Sequence, residues 1–400
     1  MPLQIKLPSP KIIDLEKFQI IAKTLFGLEE VLVEELKLIG ATDIEPLNRA
    51  VSYYGDEEVL YKSNLHLRTA LTILKPILEF KAKNETELYL KAKEFKWEEL
   101  FNVDQTLSID GFASGDLFTH SKYIALKVKD AIADRFREQF EIRPNVDVLN
   151  PDIKFNVHIA TDKVTISIDT TGEQLGKRGY RQENVFAPLA EPLAAGIILL
   201  SGWDKESEFF DGMCGSGTFA IEAALIATNT PPGLNRNFAF EKLNTFNDEL
   251  WQKILTEAKE NVVPTSATIR ASDIYKKAVH IARSNAERAN MDKWIEFDIA
   301  DFLHARPKTS KATVILNPPY GERIQMRDLL GMYQEIGNNL KKNFAGCEAW
   351  IISSNIEALK LIGLKPSRKI ALFNGKLECK LHKFELFRGT HKERVMRRRI

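Results

Sequence analysis

Cysteine is scarce in this chain of 400 residues: Cys214, Cys347 and Cys379 stand far apart, with no Cys-x-x-Cys spacing. So sparse and odd a set argues against a disulfide framework or a zinc cluster and reads as reduced thiols, and no metal is expected. Long apolar runs are scarce too. The longest, near Leu193 to Leu200, is too short to span a bilayer, and Lys6, Pro8, Pro10 and Asp14 break up any signal-peptide core. The expectation is a cytoplasmic protein with no membrane partner. Charge of one sign is also lacking. With Lys plus Arg at 56 against Asp plus Glu at 55, a nucleic-acid partner would need a local basic surface, not a basic total. Internal repeats and low-complexity tracts are not evident.

What is present fits a soluble protein of two or more domains, since the length exceeds that at which one core keeps growing and hydrophobic content is 44%. Basic residues cluster at Lys177, Arg178 and Arg181, and again in a tail carrying Arg388, Lys392, Arg394, Arg397, Arg398 and Arg399. A short terminal run of this kind is most often a solvated tail.

Along the chain, Phe18 to Ala22 reads as a strand, and Leu28, Leu32, Leu36 and Ile39 recur at helical spacing until Gly40. A second helix starts near Glu57, and Leu71, Ile73 and Leu74 suggest a strand before Pro76. Helical patterns return over Glu85 to Leu100 and at Ile124, Val128, Ile132 and Phe136, the last with Lys122, Lys127 and Lys129 at other positions. Ile153, Phe155, Val157 and Ile159, then Val164, Ile166 and Ile168, alternate with polar residues on either side of a turn, which predicts a hairpin with one buried face. The stretch Thr170 to Pro188, polar and rich in Gly, Lys and Arg, is the best linker candidate. Beyond it, apolar strands at Ser207 to Asp211, Ile269 to Asp273, Trp294 to Asp298, Thr313 to Asn317 and Ala349 to Ser353 alternate with helical segments. That pattern implies a parallel, doubly wound sheet.

The chemistry concentrates at the carboxyl ends of those strands, where open α/β sheets bind ligands. Asn317-Pro318-Pro319-Tyr320 follows an apolar run, and two prolines cannot continue a ladder, so the tetrad occupies a stiff loop. An exocyclic amine can donate to the Asn317 side-chain oxygen and the Pro318 carbonyl while Tyr320 stacks on the ring that bears it. Such a loop suits methylation of an amino nitrogen; alone it could equally be an ordinary Pro-Pro turn. Asp211-Gly212-Met213-Cys214-Gly215-Ser216-Gly217-Thr218 joins the first of these strands to a helix, and its glycines permit a tight turn and close approach to a ligand. By itself it leaves nicotinamide and flavin cofactors open. Acidic Asp211 at the turn favours a cationic aminoacid-sulfonium ligand over a pyrophosphate, Asp273 can accept from ribose hydroxyls, and Asp298 can take an adenine amine. Together these acids point to S-adenosylmethionine.

The glycine loop, the tetrad extended to Asn317-Pro318-Pro319-Tyr320-Gly321-Glu322-Arg323, and Gly176-Lys177-Arg178-Gly179-Tyr180-Arg181 followed by Ala187-Pro188-Leu189 resemble the THUMP-domain RNA guanine-N2 methyltransferases. The bacterial enzymes acting on large-subunit ribosomal RNA are the nearest likeness, and Pro232 to Arg236 with Phe238 to Glu241 resemble an insertion of that family. The resemblance implies an α/β protein: a Rossmann-like S-adenosylmethionine-dependent methyltransferase at residues 171–400, preceded by a ferredoxin-like segment at 1–65 and a THUMP RNA-binding domain at 66–170. It implies that Ala187, Pro188 and Leu189 flank the methionine end of the cofactor. Asp211, Gly212, Cys214, Gly215, Gly217 and Thr218 would surround its amino acid, with Asp273 at the ribose, Asp298 at the adenine and Asn317 bordering the cofactor. Asn317, Pro318, Pro319 and Tyr320 would form the catalytic loop, and Lys122, Lys127, Lys177, Arg178 and Arg181 would meet RNA. A second methyltransferase, fused in some enterobacterial relatives, is not expected here.

The expected activity is methyl transfer to guanine N2, foremost in 23S ribosomal RNA during ribosome assembly. Alternatives are a transfer-RNA guanine-N2 enzyme, a DNA adenine-N6 or protein glutamine-N5 methyltransferase, which share the tetrad, and a non-catalytic RNA-binding assembly protein. The amine lone pair is delocalised into the base, so acceptors on both amine hydrogens would favour the reactive geometry. A base in a helix cannot reach such a pocket, so the target would be flipped out or unpaired.

Overall fold

The computed structural model describes residues 17–118, 120–181, 189–319 and 326–387. In its front half lie β1 (Phe18–Thr24), α1 (Glu29–Leu38), β2 (Thr42–Leu47), β3 (Ala50–Gly55), α2 (Glu57–His66), β4 (Ala70–Lys81), α3 (Glu85–Glu94), β5 (Leu107–Ser114), α4 (Ser121–Phe140), β6 (Ile153–Ala160) and β7 (Lys163–Asp169). These strands make one seven-stranded sheet in the order β2-β3-β1-β4-β7-β6-β5. The centre is β4, whose first half pairs with β1 and whose second half pairs with β7. It runs through Pro76, where the sequence pattern suggested a stop; the register shifts between Pro76 and Leu78, and such a bulge tolerates a residue without an amide hydrogen. The alternation in β6 and β7 turns Phe155, Val157, Ile159, Val164 and Ile166 onto Ile124, Val128, Ile132 and Phe136 of α4, all almost fully buried.

The back half contains α5 (Glu191–Ser201), β8 (Glu208–Asp211), α6 (Thr218–Ala227), α7 (Asp248–Glu260), β9 (Ile269–Asp273), α8 (Lys276–Arg288), β10 (Ile295–Ile299), β11 (Ala312–Leu316), α9 (Met326–Asn343), β12 (Glu348–Ser353), α10 (Ile356–Leu361), β13 (Arg368–Asn374) and β14 (Leu377–Glu385). Its sheet runs β10-β9-β8-β11-β12-β14-β13, parallel from β10 to β12 and closed by antiparallel β14 and β13. The chain proceeds outward from β8 to β10, then returns to β11 on the other side of β8. That reversal opens a crevice at the strands' carboxyl ends, where Asp211, Asp273 and Asn317 stand.

The stretch after β7, the linker candidate of the sequence, is anchored between the two halves by several buried residues. Thr170 and Thr171 are fully buried and exchange hydrogen bonds with the Asn64 side chain of α2, at 3.0 and 2.8 Å; Leu175 and Tyr180 are buried as well. Polarity signalled solvent here, but the polar groups are satisfied by elements remote in sequence. A second tie comes from residues 238–258, which close the core of the first unit: Tyr61 of α2 stacks on Phe240 at 4.4 Å between centroids, with Trp251 edge-on to both.

Candidate active site

The loop after β8 must turn sharply, and its glycines each answer a particular constraint. A Cβ at Gly212 would lie 2.3 Å from the Phe302 ring and 2.9 Å from Leu316. Gly215 and Gly217 have φ of 52° and 82°, in the left-handed region that side chains disfavour, and a Cβ at Gly217 would meet Ala282 of α8 at 2.9 Å. The loop is stitched to the end of β9. The Cys214 amide donates to Ser272 O at 2.9 Å, the Gly215 amide donates to Asp273 Oδ2 at 3.0 Å, and the Gly217 amide closes the turn onto Cys214 O at 2.7 Å. Thr218 then opens α6. Cys214, grouped by sequence with the ligand-binding residues, turns its thiol into the core, where burial raises its pKa well above the ordinary value. Its contribution to the loop is made by the backbone.

Asp211 is 1% exposed, and neither carboxylate oxygen has a hydrogen-bond partner among the described residues. Burial, with the nearby charge of Asp273 adding to it, drives its carboxyl well above the usual range, outweighing the backbone amides of Ala220 and Met213, which lie near it without meeting hydrogen-bond geometry. An unpaired buried carboxylate is costly, and a cationic ligand group would relieve that cost. The donor set therefore fits the ammonium of S-adenosylmethionine. Asp273 uses one lone pair on each oxygen for the Gly215 and Tyr275 amides, leaving others for hydroxyl donors.

Asp298 lies on edge strand β10, paired with Ser272 and exposed, one residue short of the strand's end. Beyond that end, Asp301 caps a short turn by accepting from the Leu303 amide, and the next residue, Phe302, packs under Gly212. Asp301 is a candidate that sequence reading missed. So are Ile274, Tyr275 and Ile299, large apolar side chains left 57%, 73% and 57% exposed at the ends of β9 and β10. An apolar pair directly after a strand-terminal acid was the signal available for the first two.

Asn317 follows fully buried β11, in which Ile315 pairs with Asp211, so the two polar residues sit at neighbouring strand ends. Its Oδ1 is buried and has no partner among the described residues, Pro318 is buried, and Pro319 is exposed. Tyr320, Ala187 and Pro188, and the basic tail from Arg388, fall outside the described residues. Leu189 is buried beneath the site.

The basic cluster requires correction. Arg178, expected to meet RNA, has a side chain 2% exposed; its Nε donates to Glu222 of α6 at 3.2 Å, and its two terminal nitrogens donate to the carbonyls of Leu175 and Arg68. The Tyr180 hydroxyl donates to the same Glu222 oxygen at 3.0 Å. Arg181 is also turned inward, donating from one terminal nitrogen to Leu189 O at 2.7 Å and Thr218 Oγ1 at 2.8 Å. Neither is a free surface cation. Lys177 is exposed and paired with Glu173, Lys122 is exposed on α4, and the Lys127 ammonium sits 5.3 Å from the Tyr123 ring. No helix of the described residues is long and apolar enough to cross a membrane.

Comparison with known proteins places this arrangement in context. Residues 19–74 match the RlmL ferredoxin-like domain, residues 82–169 the THUMP domain, and residues 178–383 the RMKL-like methyltransferase domain. The chain is 37% identical over 373 residues to a ribosomal RNA large subunit methyltransferase K/L of Syntrophotalea carbinolica, covering 90% of this chain and 52% of that protein. It thus spans about half of that relative's length. To a candidate RNA methyltransferase of Synechocystis sp., slr0064, it is also 37% identical, covering 90% of this chain and 95% of that one. Among solved structures, a candidate methyltransferase, SMU.472, complexed with SAH superimposes with a TM-score of 0.85 at 31% identity, over 94% of this chain and 99% of the other.

Proposed function

Since the chain belongs to the family that joins an RlmL ferredoxin-like unit and a THUMP domain to an RMKL-like methyltransferase domain, we propose that it methylates the exocyclic N2 of a guanine in RNA, foremost 23S ribosomal RNA, in the cytoplasm. Bound S-adenosylmethionine supplies an electrophilic sulfonium methyl. Asp211 holds its ammonium, Asp273 its ribose hydroxyls, and Asp298 or Asp301 its adenine amine, with Ile274, Tyr275 and Ile299 as apolar walls for the adenine.

The observation that carries this reading is the Oδ1 of Asn317, buried and without a partner among the described residues, beside the rigid Pro318-Pro319 pair. An amide oxygen without a donor is a vacancy for an amine hydrogen, and the Pro318 carbonyl can accept the second. Two acceptors draw the amine out of conjugation and stabilise the positive charge that develops as the N–C bond forms. Proton loss can follow to solvent.

The exposed Lys122 and the half-buried Lys127 of α4, with Lys177, grip phosphates while the target base is flipped into the crevice. The test combines nucleoside mapping of ribosomal RNA from a strain lacking the protein with assays of Asn317→Ala. A missing N2-methylguanosine, restored by the wild type but not by the variant while the variant still binds S-adenosylhomocysteine, is the expected result. Full activity of the variant would remove Asn317 from the chemistry.

A further inference from the structure

We infer that Arg181 is the cofactor-binding residue for the carboxylate of the S-adenosylmethionine amino-acid end. This rests on the methyltransferase reading and adds to it a residue whose charge sets which ligands the site accepts. The glycine loop begins at Asp211, a buried carboxylate with no hydrogen-bond partner among the described residues, and ends at Thr218, the first residue of α6. Arg181 is bound to that second end: one terminal nitrogen donates to Thr218 Oγ1 at 2.8 Å and to Leu189 O at 2.7 Å, with the side chain only 12% exposed.

Its Nε is buried without a hydrogen bond among the described residues, 3.6 Å from Glu191 Oε1. At that distance the two form an ion pair without a hydrogen bond. The neighbouring arginine, Arg178, gives three hydrogen bonds, to Glu222 and two carbonyls; Arg181 gives two from one terminal nitrogen, and its Nε gives none among the described residues. A planar fork whose Nε–H is unused among the described residues, at the start of a ten-residue helix, matches a carboxylate, and the opposite charge at the loop's other end matches an ammonium. Together they complement an α-amino-acid zwitterion.

The experiment measures calorimetric affinity of wild type, Arg181→Met and Arg181→Lys for two ligands: S-adenosylhomocysteine and its decarboxylated analogue, which keeps the ammonium. Loss of a charge-assisted hydrogen bond to the carboxylate predicts a roughly 10- to 100-fold weaker binding of S-adenosylhomocysteine by Arg181→Met. The analogue should bind both proteins within about twofold, because it never used the guanidinium. Arg181→Lys, retaining charge without the fork, should fall between and serves if the Met variant does not fold. Equal loss for both ligands makes Arg181 a purely structural clamp and overturns the inference, as does unchanged affinity for S-adenosylhomocysteine. Wild type that binds neither ligand would instead overturn the methyltransferase reading on which the inference stands.

Discussion

Arg178→Ala separates two roles that the sequence alone assigns differently. If the side chain met phosphates, its removal would weaken RNA binding, lower the slope of log affinity against log salt by about one, and leave the fold alone. The structure assigns it to the interior instead. Its loss leaves Glu222, 0% exposed, with the Tyr180 hydroxyl as its one hydrogen-bond partner among the described residues and the Arg68 charge nearby, and leaves the carbonyls of Arg68 and Leu175 without their donor. Breaking one side of a buried, hydrogen-bonded pair costs ~3–5 kcal/mol. At a urea slope near ~3 kcal/mol per M, that lowers the unfolding midpoint by roughly 1–1.7 M. Intrinsic tryptophan fluorescence during urea titration reads the midpoint, and filter binding across a salt series reads the RNA contact. Arg178→Lys should recover part of the stability by keeping the charge. An unchanged midpoint together with a shallower salt slope for Arg178→Ala would refute the reasoning.

Two further variants test other parts of the site. Burial raises the Asp211 carboxyl, so its contribution to stability is fully present below the ordinary carboxylate range, near ~3.9, and is lost as pH rises through the folded-state value. Asp211→Asn should therefore raise the ligand-free melting temperature more at pH 8 than at pH 5 while weakening S-adenosylhomocysteine; a variant destabilised equally at both values contradicts the assignment. Replacing Lys122 and Lys127 together with Gln should lower the RNA salt slope by about 1.5 and leave the melting temperature within about a degree, since Lys122 is exposed and Lys127 only half-buried. An unaltered slope takes α4 out of the RNA surface.

The sequence was most legible where one local rule dominated. Strand β11 was readable from the apolar run Val314-Ile315-Leu316 that stops at Asn317, and the β6–β7 hairpin from strict alternation around a polar turn. The loop at Gly212, Gly215 and Gly217 was readable because only glycine fits such contacts and angles. The Lys-Arg-Gly-Tyr-Arg stretch misled because its composition signals water, and the acids that pair with it, Glu191 at the start of α5 and Glu222 on α6, lie in later elements. No local pattern reports such a partner. The extension of β4 past Pro76 was hidden for a similar reason: the bulge that accommodates the proline is a property of the pairing with β7, not of β4.

The stacking of Tyr61 on Phe240 also bears on the order in which the protein becomes stable during synthesis. The first unit finishes its own strands early, yet one wall of its interior is supplied by Phe238, Phe240, Trp251 and Ile254. At 5–20 residues per second, the ribosome needs roughly 10–40 s to travel from Tyr61 to Phe240. During that interval the nascent chain carries an apolar face awaiting its cover, a natural place for a chaperone to wait. A front half expressed alone would retain that face for good, and should be prone to association for a reason unrelated to RNA.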